Sequence, residues 1–446
     1  MYQAISECRL CGNRSLVPIL DLGLQCLTGV FPKSREQVIT SAPLQLVKCE
    51  PGVGGKSCGL VQLRHSCDPW SMYGEGYGYR SGLNQSMVNH LRSKVEFVLD
   101  WVVPERGDVV IDIGSNDGTL LGCYPANGVE LVGIDPSAKR FKQYYPEAAR
   151  LVPDFFSADV ARDVLGNKKA KVITSIAMFY DLESPEAFVR DIEKILADDG
   201  VWLFEQSYLP QMLATNSYDT VCHEHLEYYS MRQIRWIFDR VGMKVLDVDF
   251  NAANGGSFAV LAGKQCNPIP EADGLLRQIE AKEELVGIDS IHVYQGFEHF
   301  VGRHKESVRE FFDYAKQQGL LVAGYGASTK GNVILQHCDV TSEDLYCIAE
   351  VNEDKYGRFT PGTLIPIVPE ERVRQEMPEC LMVLPWHFRE HIIAREKDYL
   401  SRGGQMLFPL PEMDVVRRAA PRRQLIHEVV SNGSYNSHKA RAAGAD

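Results

Sequence analysis

The residues best equipped for chemistry lie in Tyr218–Ser230, YDTVCHEHLEYYS, where two histidines flank a glutamate and a second glutamate and two tyrosines follow. Imidazoles and carboxylates at this density suit proton transfer. The spacing argues against a metal shared by the two rings: on a helix, histidines two apart face about 200° from each other, unlike the H-E-x-x-H pattern. One can face inward while the other packs. His225 with Glu224 is the expected acid–base pair, with His223 beside it as a substrate contact. A lone packed histidine is the competing structural reading.

A second constellation is Cys8-Arg-Leu-Cys11 with Cys49 and Cys58, the latter two separated by EPGVGGKS. A C-x-x-C knuckle turns two thiolates toward one tetrahedral zinc ion, and the glycine-rich loop lets the second pair close on it. Four protein ligands leave no open position, so such a zinc staples a lobe rather than catalyses. Unrelated thiols are the alternative, with Cys26 and Cys67 as substitute ligands. The twelve cysteines are sparse and form no regular disulfide framework, which favours reduced thiols.

These groups need elements to position them, and the chain is organised around Val109–Leu121, VVIDIGSNDGTLL. A buried β-branched strand, Val109 to Ile113, runs into glycines that let backbone approach a ligand, and a helix is expected from Thr119. The glycines do not form G-x-G-x-x-G, so a pyrophosphate-wrapping role is not expected. Acids at successive strand ends, Asp112, Asp117 and Asp135, suit ribose hydroxyls and a cationic sulfonium. Together with Gly114 and Asn116 they resemble the S-adenosylmethionine site of a class I methyltransferase.

Strands are expected at Leu131–Ile134, Lys171–Ala177, Val201–Gln206 and Lys244–Phe250, with helices such as Met87–Asp100 and Pro185–Ala197 between them, a doubly wound α/β sheet. Ligands in such sheets lie at the carboxyl ends of strands, which places Asp154 and Phe155 beside an adenine and Tyr180 beside a substrate. The glycine- and tyrosine-rich loop of residues 72–90 offers Tyr73, Tyr77 and Tyr79 to stack on a ligand or donate a hydrogen bond from the phenol, unless they only pack between lobes. Asn254 and Gly255, in NGGS, expose amides for a phosphate or sugar hydroxyl, or make a tight turn.

After a helical stretch at about 271–318, a second strand–glycine–helix unit, LLVAGYGASTKGNVILQHC, carries Lys330 among Gly324, Gly326 and Gly331. That pattern suits a diphosphate, and Arg358 adds a further cation; packing alone is the alternative. The expected divisions are residues 1–70, a zinc-binding lobe; 71–265, the methyltransferase domain; 266–415, a C-terminal Rossmann-like nucleotide-sugar-binding domain; and 416–446, a polar, basic tail expected to be disordered. The net charge of −12 and pI near 5.5 speak against a nucleic-acid partner. No apolar run approaches the roughly 18 residues of a membrane span, and no signal-peptide pattern opens the chain, so a cytoplasmic location is expected.

The Cys-x-x-Cys knuckle, YGYRSG, IDIGSNDGTLL, CHEHLEYYS, NGGS and GYGASTKGN, in that order, resemble the nucleotide-sugar C-methyltransferases of deoxysugar biosynthesis from Cys8 to about Pro411. The resemblance implies methylation at C3 of a nucleotide-diphospho 4-keto-6-deoxyhexose through an enolate, with S-adenosylmethionine as donor and a structural zinc. His225 would be the base, Glu224 its orienting partner or a contact to a sugar hydroxyl, and Tyr79 or Tyr77 the enolate holder. Many relatives carry a histidine after the fourth strand, where this chain reads Met178-Phe179-Tyr180. O- or N-methylation of another metabolite, and non-catalytic nucleotide-sugar binding, are the competing functions; nothing in the sequence names the oligomeric state.

Overall fold

A computed structural model describes residues 2–52, 57–73, 79–125 and 127–417. The cradle segment Val109–Ile113 is buried at every position and forms an inner strand of a seven-stranded sheet. The order across it is Met243–Asn251, Ser257–Lys264, Leu196–Ser207, Ala170–Ile176, Val109–Ile113, Glu130–Ile134 and Arg150–Val152. Only Ser257–Lys264 runs antiparallel to its neighbours. Helices on both faces explain why the central strands read as continuous apolar runs rather than as alternation. Two strands of this sheet, Arg150–Val152 and Ser257–Lys264, had no place in the sequence reading.

The helix expected from Thr119 is instead a short 3-10 turn, Leu121–Cys123. Gly118 adopts φ +75°, Asp117 Oδ1 accepts from the Thr119 amide, and Pro125 follows within seven residues, leaving no room for a longer helix.

The N-terminal part forms a four-stranded sheet of Leu16–Cys26, Ser41–Cys49 and Val61–Leu63, completed by Glu227–Tyr228 from the middle of the chain. The C-terminal part is a six-stranded sheet in the order Ile367–Pro369, Ile348–Glu350, Val322–Tyr325, Cys380–Val383, Gln405–Phe408, Asp414–Arg417, parallel except for the last strand. Residues 416 and 417 therefore belong to that sheet, not to the tail expected from residue 416; residues 418–446 lie outside the described residues.

These parts share cores. Ile19, Leu20, Leu44 and Leu46 of the N-terminal sheet pack with Val301, Phe311 and Phe312 of the 27-residue helix Ile291–Gln317 and with the C-terminal sheet. The stretch at 271–318 is thus a packed helix pair, Asp273–Val286 and Ile291–Gln317, rather than a mere connection. Cys8, Cys49 and Cys58 sit in one apolar cluster with Ile111, Trp202, Phe204 and the helix Met231–Val241. Among the described residues no helix is long and apolar enough to cross a membrane.

Candidate functional site

The segment YDTVCHEHLEYYS is not a helix. It makes a 3-10 turn at Tyr218–Thr220, then a turn, then the strand Glu227–Tyr228, which pairs antiparallel with Val61–Leu63. Its far end is locked by a capping box, Ser230 with Gln233, at the start of Met231–Val241. The two histidines therefore separate by tertiary contact rather than by helical phase. His223 is 3% exposed and donates from Nε2 to the carbonyl of Ala42 at 3.1 Å, and burial lowers its pKa to about 4. That contact ties the segment to the N-terminal sheet through Nε2, while Nδ1 is buried without a hydrogen-bond partner.

His225 remains partly accessible. Its Nδ1 lies 2.8 Å from the Thr220 carbonyl, which can only accept, so Nδ1 carries the proton and Nε2 keeps its lone pair. Burial, reinforced by the Lys330 charge, lowers its pKa to about 3, so the ring is neutral. The Tyr180 ring stacks at 4.1 Å, tilted by 52°. The Tyr180 carbonyl also accepts from the Leu226 amide at 2.7 Å, pinning the strand-end turn to the histidine segment. Glu224 reaches the N-terminal part. Its Oε2 accepts from Thr28 Oγ1 at 3.3 Å, and a Cβ on Gly29 would lie 2.5 Å from Oε1, so the carboxyl is packed on the N-terminal part.

The cradle is internally braced. Thr174 Oγ1 donates to Asp112 Oδ1 at 2.6 Å beneath the turn, and burial raises Asp112 to about 7. Asp135 Oδ2 accepts from the Asn116 amide at 2.8 Å, and Oδ1 from the amide and hydroxyl of Ser137, both at 2.6 Å. A carboxylate accepts about four hydrogen bonds, so Asp135 keeps capacity for a ribose hydroxyl. Gly114 has φ +71°, and a Cβ there would meet Met178 at 3.2 Å.

The Asn116 and Asp117 side chains also hold the tyrosine loop. Asn116 Oδ1 accepts from Ser81 N at 3.0 Å, Asn116 Nδ2 donates to the Tyr79 carbonyl at 3.2 Å, and Asp117 Oδ2 accepts from Gly82 N at 2.9 Å. They clip the tyrosine loop over the cradle. Tyr79 is 47% exposed overall, but its hydroxyl end is buried and pushed up to about 12, a neutral donor. Tyr77 lies outside the described residues, as does the Tyr73 side chain. Asp154 accepts from its own neighbour's amide, Phe155 N, and Phe155 meets the Trp70 ring edge-on at 5.2 Å.

The C-terminal glycine unit does not form an open nest. Glu350 accepts from the Ala327 amide, Gly326 N donates to Ala349, and Ser328 Oγ caps Gly331 N. A Cβ on Gly326 would strike Pro385 and one on Gly331 would strike Leu384, both under 3 Å, so these glycines permit close packing. Arg358 donates to the Phe31 carbonyl at 3.4 Å, a contact between lobes. The amides of Gly255 and Gly256 are likewise spent on the Ala252 and Ala253 carbonyls, and Gly255 sits under the Trp386 ring. Lys330 turns away from the glycines to the Asn254 carbonyl, at 2.8 Å.

Several contacts among titratable residues went unread in the sequence. Trp386 Nε1 donates to Asp219 Oδ2 at 2.8 Å, and His387 beside it is held neutral by burial, near 3. PWHF lies one residue beyond the apolar strand Cys380–Val383, a strand-tip position that could have flagged it. His90 Nε2 lies 2.6 Å from Glu205, which also binds Lys94 and Asn251; a single histidine on an amphipathic helix carried no such signal.

The four cysteine sulfurs all lie within 4.8 Å of one another, with Cys8 to Cys58 and Cys11 to Cys49 at 3.5 Å. Thiolates about 2.3 Å from a central zinc stand about 3.8 Å apart, so the set fits that ion. Gln62 Nε2 and Asn13 Nδ2 donate to Cys8 and Cys49. Metal analysis of purified protein is expected to find about one zinc per chain; its absence would remove the site.

Three family models match in series: a zinc binding domain over residues 8–73, a methyltransferase domain over 84–248, and a C-methyltransferase C-terminal domain over 252–411. The C-methyltransferase NovU of Streptomyces niveus is 28% identical over 419 residues, covering 93% of this chain and 98% of its own. The chain is an S-adenosylmethionine-dependent C-methyltransferase with a zinc-binding N-terminal domain. The methyltransferase also matches a tRNA U34 carboxymethyltransferase of Campylobacter lari, at 28% identity over 112 residues, 23% of this chain and 37% of that one. Among solved structures, a Haloferax volcanii Trm112–methyltransferase complex overlays with TM-score 0.33 at 16% identity, covering 41% of this chain and 94% of that one, too loose a match to carry weight.

The residues fit the donor: S-adenosylmethionine supplies an electrophilic methyl group, and Asp135 with the Gly114 turn would hold its ribose. Asp135→Ala is expected to abolish binding of S-adenosylmethionine by calorimetry and, because the Asn116 and Ser137 hydrogen bonds go with the carboxyl, to lower the melting temperature as well; undiminished affinity would discard that assignment.

Proposed function

We propose that this C-methyltransferase acts on a nucleotide-linked 4-keto-6-deoxyhexose, at C3, through an enolate. The observation that carries the reading is His225, partly exposed, whose Nδ1–H is fixed on the Thr220 carbonyl so that Nε2 keeps its lone pair. A carbon beside a ketone gives up its proton only to a positioned base, and only if the resulting oxyanion is held. The likeness to a C-methyltransferase over nearly the whole chain supports carbon as the acceptor atom.

In this reading His225 removes the C3 proton, Tyr180 fixes the ring's tilt, and Tyr79, clipped over the cradle, closes the donor side. Positioning of the two partners supplies a large share of the rate, about 7–11 kcal/mol in well-oriented systems. The test is incubation with isotopically labelled S-adenosylmethionine and a panel of keto-sugar nucleotides, followed by mass spectrometry and NMR of the product. One new carbon-bound methyl beside the ketone is expected. A label on oxygen or nitrogen, or no labelled product across the panel, would overturn the reading.

A further inference from the structure

Lys330 is the second residue of the helix Thr329–His337, whose N-cap is Ser328. A cation there opposes the helix dipole, which favours negative charge at that end. Its Nζ reaches across to the methyltransferase domain and donates to the Asn254 carbonyl at 2.8 Å. An ammonium has three N–H groups, so two remain. Among the described residues Lys330 has no carboxylate within ion-pair distance: Asp219, whose charge acts on it, gives Oδ2 to the Trp386 indole and keeps Oδ1 buried without a hydrogen-bond partner. Its charge also reaches His225, His387 and Cys222.

Burial lowers the Lys330 pKa while Asp219 partly offsets this, and an ammonium there with unused donors and no carboxylate within ion-pair distance is costly unless something negative arrives. The arrangement is also odd for a resting base, because the ammonium makes His225 a poorer proton acceptor. Both features make sense if negative charge develops between the two during the reaction and is absent before it. A diphosphate is the weaker candidate for that charge, since the glycine-turn amides that would share it are already bonded within the fold.

We propose that Lys330 is the electrophilic catalyst of the reaction: its ammonium holds the substrate's carbonyl oxygen and stabilises the enolate formed when His225 takes the neighbouring proton. This rests on the keto-substrate reading above. In the step, the C–H bond breaks toward His225 Nε2 and its electron pair becomes the carbon–carbon double bond. The carbonyl π pair moves to oxygen, where Lys330 donates a hydrogen bond. The proton stays on the imidazolium and exchanges with solvent.

That half-reaction is measurable without the methyl donor, as wash-in of deuterium at the carbon beside the ketone, followed by NMR in D2O with dTDP-4-keto-6-deoxyglucose as probe. Wild-type protein is expected to exchange that proton. Lys330→Met is expected to slow exchange and, with donor added, to lower kcat by about 10²–10³-fold, the usual loss for one oxyanion donor, with KM little altered and S-adenosylmethionine affinity unchanged by calorimetry. Lys330→Ala is expected to regain exchange when ethylammonium is supplied, which a packing role would not allow. Exchange at the wild-type rate in Lys330→Met, or an effect confined to KM, overturns the proposal while leaving the keto-sugar reading standing. A wild-type protein that neither exchanges nor methylates the probe and its CDP and GDP counterparts overturns both.

Discussion

His225→Asn is expected to lower methyl transfer by about 10²–10⁴-fold, the range that general-base catalysis supplies, without weakening S-adenosylmethionine binding. Asparagine can still donate to the Thr220 carbonyl, so the turn at Tyr218–Thr220 should survive, but it has no basic lone pair to replace Nε2. Single-turnover methyl transfer beside calorimetry with the donor separates the two effects. Full turnover in this variant would eliminate His225 as base. The same residue sets a pH expectation. Its folded-state pKa is lowered to about 3 by burial and by Lys330, so the imidazole is already neutral throughout the physiological range. The acid limb of kcat/KM should therefore fall well below the ordinary imidazole value of about 6.5; a limb near 6.5 would mean that a different, unperturbed group is the base.

Removing zinc is expected to silence catalysis at a distance. The strand Glu227–Tyr228 is held by Val61–Leu63, and Leu63 N donates to the Leu226 carbonyl at 2.8 Å. Gln233, the capping partner of Ser230, donates to the Cys58 carbonyl at 2.8 Å, and Arg9, inside the knuckle, donates to the Leu63 carbonyl and lies 3.9 Å from the buried Glu227. The histidine segment is thus an edge strand of the zinc-bearing part. A structural zinc contributes folding free energy directly, so chelation, or Cys58→Ser, removes the frame for His225. Turnover is expected to drop by more than about 10²-fold, in step with zinc lost, and to return on adding zinc. Because Cys8, Cys49 and Cys58 also pack in the core beneath the central sheet, the melting temperature should fall too. Zinc-free protein with undiminished turnover would refute this coupling.

The contrast between His225 and His223 shows how far local pattern could reach. Spacing alone said that the two rings face apart, and they do, but through strand pairing with residues more than 150 positions earlier rather than through helical phase. A strand of two residues has no periodicity to detect; it exists because Val61–Leu63 offers it a ladder. Glycine spacing misled in a related way. Gly326, Gly331, Gly255 and Gly256 look like amide nests, yet three-dimensional packing against Pro385, Leu384, Trp386 and Gln211 accounts for their missing side chains.

What the sequence determined by itself is the local chemistry: a β-branched strand that must be buried, glycine turns after it, four thiols spaced for one zinc, and the order of parts. Each of these depends on residues close in the chain or on one composition-driven rule. What only the tertiary structure decided is which groups meet. Asn116 and Asp117 were committed to the tyrosine loop, Glu224 to Thr28, and Lys330 from the helix Thr329–His337 was brought over to Asn254, beside Asp219, Trp386 and His387. The physical reason is that the three parts share cores instead of folding separately, so the recess around His225 is assembled from segments whose proximity no local pattern encodes.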